Sequence, residues 1–298
     1  MTRHTPPRPV DVEKLFPELM PWRRETLRLH PRTGEPSCYD NSVGGPLLWP
    51  AEEPWPVCTE EHYTFDDGTP SEAEVSLVPI VQLHQADAPG VAFPPGCDLL
   101  QVLWCPFNHG ELFCPLPRVY WRAAGDVGAV HPTPAAPADA EENHVADPCV
   151  VHPEQVTEYP SHDLPNELAT SLEQRFDRLE EETGWFYYHH LADAPGIKVG
   201  GYPGWTQDPV WPDCTSCGQA MEHLLTVASG EFDGSSWFTW LPVEDRPAAE
   251  SDAPLFDSET ASAAVDSPGL TLGDMGGVYI FECRSCPERP IDHWFDCS

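Results

Sequence analysis

Lys198-Val-Gly-Gly-Tyr-Pro-Gly-Trp205, followed by Trp211-Pro-Asp-Cys214 and Cys217, is the stretch on which the fold turns. It has a second copy. Val199, Gly200, Gly201, Trp205, Trp211, Pro212 and Cys214 fall without a gap on Val43, Gly44, Gly45, Trp49, Trp55, Pro56 and Cys58. Matches that include a glycine pair and two tryptophans at fixed spacing point to an internal duplication. Paired glycines admit positive φ and close backbone approach, so they suit a tight turn or bulge after a strand. Each tryptophan is a large apolar body with a single N–H, suited to covering a small core. Cys214-x-x-Cys217-Gly218 has the spacing of a zinc knuckle, in which two thiolates converge on one ion.

Outward from this stretch the same order recurs. Val78–His84 and Met221–Ala228 read as counterpart strands, as do Leu99–Trp104 and Val278–Glu282. Leu99–Trp104 is apolar on both faces, which predicts a central strand. Thr26–His30, Val119–Arg122 and Trp185–His190 read as further strands. Leu168, Leu172, Phe176 and Leu179 form one helical stripe over 166–183, with Pro165 at its start and Gly184 at its end. A shorter helical pattern covers 11–20. The predicted class is α+β, mainly β: duplicated β-sheet repeats with zinc-knuckle turns and few helices. Residues 1–10 read as a loose leader, 11–122 as the first repeat and 123–160 as a linker or long loop. Residues 161–298 read as the second repeat, with an acidic insertion at 231–275 that Trp237, Phe238 and Trp240 could anchor. The two repeats are expected to pack as one pseudo-symmetric unit.

Composition limits the function. The chain has 298 residues, 36 of them Pro and 21 Gly, which favours short strands and turns over a helix bundle. Its formal net charge is −34, which opposes direct binding to nucleic acid or an anionic membrane and suits a basic partner or a solvated acidic surface. The first thirty residues contain no apolar run, and no long apolar span occurs, so a cytoplasmic protein is expected. In such a compartment eleven cysteines read as metal ligands or free thiols rather than disulfides.

Chance gives about 0.4 Cys-x-x-Cys pairs at this cysteine content, so one pair would mean little. Two pairs at strand ends, Cys214/Cys217 and Cys283/Cys286, predict a structural zinc site. In the first repeat Cys58, His62, Cys105 and His109 occupy the corresponding places and predict a second site. Cys114 and Cys149-x-x-His152 compete as ligands there, and a repeat that has lost its metal is the plain alternative. Four protein ligands leave no position for an activated water, so both sites read as structural rather than catalytic. Trp49, Trp55, Trp205 and Trp211 read as core more than as contacts. Tyr187-Tyr188-His189-His190 reads as a strand with one member of each pair buried.

The run Lys198-Val-Gly-Gly-x-Pro203-x-Trp205, then Cys214-x-x-Cys217-Gly218, then Met221–Val227 and the strand into Cys283, resembles the YwqG-like bacterial family. It is also similar to the N-terminal half of the eukaryotic programmed cell death protein 2 family. The resemblance covers 198–228 and 276–298 well, and 42–58 and 77–109 more weakly. It carries the glycines Gly44, Gly45, Gly200 and Gly201 with Trp49 and Trp205 as the structural motif. It implies a duplicated, mostly β module without established enzymatic activity. The eukaryotic relatives chaperone a small-subunit ribosomal protein, and some bacterial members are suspected of immunity roles beside toxins. This chain departs from the pattern at Gln219-Ala220, at Thr226 and in its acidic insertion. The expectation is a non-enzymatic, zinc-stabilised module for an unidentified protein or peptide client, basic in character, holding one or two zinc ions. The alternatives are a zinc-dependent hydrolase with an open first site, and an architectural subunit of a larger assembly.

Overall fold

Residues 2–63, 70–232, 235–246, 263–265 and 267–297 are described by the computed structural model. The strands of the first half are β1 (Arg24–Arg28), β2 (Arg32–Thr33), β3 (Ser42–Val43), β4 (Val57–Cys58), β5 (His62–Tyr63), β6 (Pro70–Ser71), β7 (Val75–Ser76), β8 (Val78–His84), β9 (Leu99–His109) and β10 (Cys114–Arg122). Those of the second half are β11 (Cys149–Val150), β12 (Glu154–Glu158), β13 (Lys198–Gly200), β14 (Glu222–Ala228), β15 (Gly277–Glu282) and β16 (Ile291–Asp296). The architecture is mainly β, with few helices. Among the described residues no helix is long and apolar enough to cross a membrane.

One sheet has the order β12-β1-β13-β14-β15-β16. The other runs β2-β11-β3-β8-β9, with β10 also on β9 and the short β5 and β6 beyond. All of these pairings are antiparallel. Register follows the same plan in both sheets. Ser42 faces Gln82 as Lys198 faces Thr226. Val81↔Val102 and Gln82↔Gln101 correspond to Leu225↔Ile280 and Thr226↔Tyr279, and each pair of strands carries its irregularity one step earlier, between Pro79 and Val81 or between His223 and Leu225. A bulge at the same place bends both strands alike.

The sequence places β1 in the first repeat and 123–160 in a linker or long loop, whereas 149–150 and 154–158 are paired strands. Residues 24–33 and 149–158 form one two-stranded ribbon in a single register, from Arg24↔Glu158 through Arg28↔Glu154 to Arg32↔Val150 and Thr33↔Cys149. Its first half, β1 and β12, pairs with β13. Its second half, β2 and β11, pairs with β3. Each sheet therefore takes one strand from the other half of the chain, β1 in the six-stranded sheet and β11 in the other, next to its edge strand. An unpaired β13 or β3 would present bare N–H and C=O groups, which the ribbon covers. Side chains from both sheets, including Leu27, Val81, Val102, Leu225 and Ile280, form one apolar cluster.

Three helical segments bear on the site: α1 (Val12–Leu15), α2 (Asn166–Thr183) and α3 (Tyr187–His190). The stripe predicted over 166–183 is α2, with Leu172, Phe176 and Leu179 buried and Gly184 closing it at φ 76°. Residues 185–190 are not the predicted strand. Tyr187 and His190 are buried three positions apart, a helical spacing, and Tyr187 stacks on Phe176 with centroids 3.9 Å apart while its hydroxyl donates to Pro160 O. That packing overrides the strand preference of an aromatic run. Of the acidic insertion, Trp237–Trp240 is a helical turn with Trp240 buried, and 247–262 lie outside the described residues.

Candidate metal centres

The turn 212–221 is closed by its own backbone. Cys214 N–H donates to Gln219 O at 2.8 Å, Gly218 N–H to Cys214 O at 2.7 Å and Met221 N–H to Pro212 O at 2.9 Å. Gly218 holds φ 69°, a conformation that costs a residue with a Cβ. The facing turn joins β15 to β16, where Cys283 N–H donates to Pro290 O at 2.9 Å and Arg289 N–H to Cys286 O at 3.0 Å. The two turns bring the four predicted cysteines together, and their sulfurs all lie within 4.8 Å of one another. Cys214 and Cys286 are 3.9 Å apart, and Cys217 and Cys283 are 3.6 Å apart. Thiolates around one tetrahedral ion at ~2.3 Å stand roughly 3.8 Å apart, whereas a disulfide needs ~2.05 Å. All four are free cysteines, and the group can hold a metal ion.

The thiols respond to one another. Burial works against a Cys214 thiolate, but N–H groups of Cys217 and Ser216 and the Cys283 thiol outweigh it and bring Cys214 to about 7. Cys286, first through its contact with Cys217 and then through burial, is pushed up to about 12. Four thiolates this close repel, so the fully ionised set needs a cation at its centre. Trp205, Met221, Phe281 and Tyr279 pack against the cluster, with Trp211 and Trp294 at its margin. Trp205 and Trp211 both donate their indole N–H to the Asp163 carboxylate, at 3.2 Å and 2.6 Å. Nothing in the spacing around Asp163 signals that role.

In the first half of the chain Cys58 ends β4, while Cys105 and His109 lie four apart on β9, where alternation puts them on one face. Cys58 Sγ is 3.9 Å from His109 Nε2, and all three ligand atoms lie within 4.8 Å of one another. This group too can hold a metal ion. Cys58 is drawn down to about 4, first by a hydrogen bond with Cys105, then, against burial, by His109. Cys105 is pushed well up by the neighbouring Cys58 and by burial.

His62, the fourth residue predicted here, does not join the group. It is fixed on β5, which pairs with β6 and, through Tyr63, with Asn108. Its ring lies on Phe107 at 4.7 Å, its Nδ1 faces Glu60 O at 3.3 Å, and its centroid is 5.9 Å from that of His109. Neither competing cysteine is in the group: Cys114, although paired with His109 across β9 and β10, packs into the apolar cluster between the sheets. Burial raises Cys114 to about 12, and Cys149 sits in the ribbon opposite Thr33.

The glycine pairs serve the ribbon crossing rather than either metal group. A Cβ on Gly201 would lie 1.9 Å from Glu158 Oε1, and one on Gly44 would lie 2.5 Å from Ala146 O. Glu158, on β12, accepts Lys198 Nζ at 2.9 Å and Ala194 N–H at 2.8 Å, and also takes the Tyr202 N–H. The lysine of the Gly-Gly run was legible in sequence; its partner, inside a presumed linker, was not. Trp49 and Trp205 are 0% and 4% exposed and Trp55 is 8% exposed, so these rings are core rather than contact surface.

No protein-family model matches the chain, and no curated protein is significantly similar to it.

Proposed function

We propose that this chain is a non-enzymatic protein-binding module, a divergent member of the YwqG-like family, built by duplication and clipped by structural zinc. The observation that carries the metal reading is the closed four-cysteine group with sulfur separations of 3.6 and 3.9 Å. An all-thiolate tetrahedral set suits zinc, as it does iron, and leaves no coordination position for substrate. The matching register of β8–β9 and β14–β15 supports the duplication. The client is a basic protein or peptide met in the cytoplasm. Its attraction comes from a net charge of −34, through steering that salt weakens. The test is binding of a basic protein and an acidic one of equal size at low and high salt. Salt-sensitive capture of the basic protein alone is expected; equal capture of both at either salt contradicts the reading.

A second reading has one observation in its favour. Cys58, Cys105 and His109 are three ligands, and a three-ligand zinc keeps an open position, as hydrolytic sites do. Against it, Cys58 and Cys105 are 2% and 0% exposed and His109 is 6% exposed, which leaves a substrate little access. Cobalt substitution separates the readings: five-coordinate or water-exchanging spectra from this site favour the hydrolase.

A further inference from the structure

A cavity of about 480 Å³ opens over the six-stranded sheet, between the 203–206 loop, the end of β14, the start of β15 and the segment 186–196. Its size falls within the range of small-molecule sites, ~300–1,000 Å³. Phe186, Tyr188 and Trp205 supply aromatic wall, and Trp205 also packs on the cysteine cluster. Met275, at the rim, is 46% exposed and holds φ 55°, a left-handed backbone that a side chain adopts at a cost.

Asp193 also lines this cavity, half-buried, and among the described residues it makes no hydrogen bond or ion pair. Its backbone is fixed on both sides: Ala192 O accepts from Tyr159 N–H at 3.3 Å, and Ala194 N–H is held by Glu158 at 2.8 Å. Lys198 lies close by, near Gly204 as Asp193 does, but its ammonium is committed to Glu158. The Asp193 charge helps push up the carboxyls of Glu158 and Asp163, which burial raises first. The wall thus combines aromatic rings, His162 and His189 with a carboxylate that has no ion pair among the described residues.

We propose that this cavity receives an arginine side chain from a polypeptide, with the guanidinium on Asp193 and its plane and stem against the aromatic wall. Guanidinium pairs with a carboxylate through two parallel N–H donors and stacks on aromatic faces, which a compact ammonium does less well. The assignment rests on the basic-client reading and gives it a place on the molecule.

The test uses the full, metal-loaded chain and three probes in calorimetry: N-acetyl-arginine methylamide, its citrulline counterpart, and an octa-arginine peptide. Two variants accompany it. Asp193→Asn removes the charge from a group that makes no hydrogen bond among the described residues, and Ala228→Phe fills the cavity from the end of β14 while leaving Asp193 in the sequence. The expected result is that arginine exceeds citrulline at least tenfold on the native chain and that both variants abolish the difference. Equal binding of arginine and citrulline, or unchanged arginine binding in either folded variant, overturns the cavity assignment. Octa-arginine distinguishes the two failures: if it binds the native chain and both variants alike, the basic-client reading stands without the cavity, and if it does not bind the native chain, both fall.

Discussion

The Lys198 ammonium meets the Glu158 carboxylate at 2.9 Å with both side chains out of solvent, and this pair ties the Gly-Gly run of one half of the chain to the exchanged ribbon. Removing one partner of a buried pair leaves an uncompensated charge and costs about 3–5 kcal/mol. Lys198→Met and Glu158→Gln should each lower stability by that order in urea denaturation. The double variant Lys198→Met/Glu158→Leu should be less destabilised than the sum of the singles. Strict additivity would mean that the pair does not couple the two elements.

Gly200 and Gly201 adjoin and both have positive φ, but they differ in what a side chain would meet. At Gly200 the nearest atom to a Cβ is 3.9 Å away, so Gly200→Ala should cost only backbone strain, about 1–3 kcal/mol. At Gly201 a Cβ would overlap Glu158 Oε1 and Thr26 Cβ, at 1.9 and 2.7 Å. Gly201→Ala should add about 1–3 kcal/mol of overlap and disturb the Lys198 pair. Equal losses at the two positions would put the ribbon elsewhere.

Much of this was readable from the sequence because its tokens are rare and local. Gly-Gly, Trp and Cys-x-x-Cys at fixed spacing located the strands that carry both clusters, and the Leu172/Phe176/Leu179 stripe located α2. The ribbon was not readable. Cys149–Val150 and Glu154–Glu158 are short, and Glu154 and Glu158 are charged; what makes them strands is pairing with residues more than a hundred positions away. Tyr187–His190 misled because stacking on Phe176, a tertiary contact, decided its conformation. His62 was placed by spacing alone, whereas the pairing of β5 directs its ring to Phe107.

Acid should unfold the protein through its buried histidines. Burial, and for His223 also Lys198, holds His223 down to about 3 and His144 down to about 4. Both are neutral when folded but titrate near 6.5 when unfolded, so the unfolded chain binds the extra protons. Their contribution is complete above pH 6.5 and falls by about 1.4 kcal/mol per histidine per pH unit as pH drops towards the folded values. The imidazole resonances of His144 and His223 should stay flat from pH 8 to 5. Titration near 6.5 would show that these rings are not buried as described.

Metal removal should act unequally on the two halves. Structural zinc contributes folding energy directly, so strong chelation or Cys217→Ser should unfold the region around Trp205 and Trp211, read as a lowered Tm and a red-shifted tryptophan emission. Cys114→Ser, at a buried thiol outside both groups, should leave metal content unchanged.

The central claim is that Cys214, Cys217, Cys283 and Cys286 close on one ion. X-ray absorption at the zinc edge, with metal-to-protein ratio, tests it most directly when native chain and Cys283→Ser are compared. The account predicts at least one zinc per native chain, a four-sulfur shell near ~2.3 Å, and loss of that shell in the variant. Native protein that folds with no bound metal and four freely reactive thiols, or a variant that keeps the full sulfur shell, would contradict it.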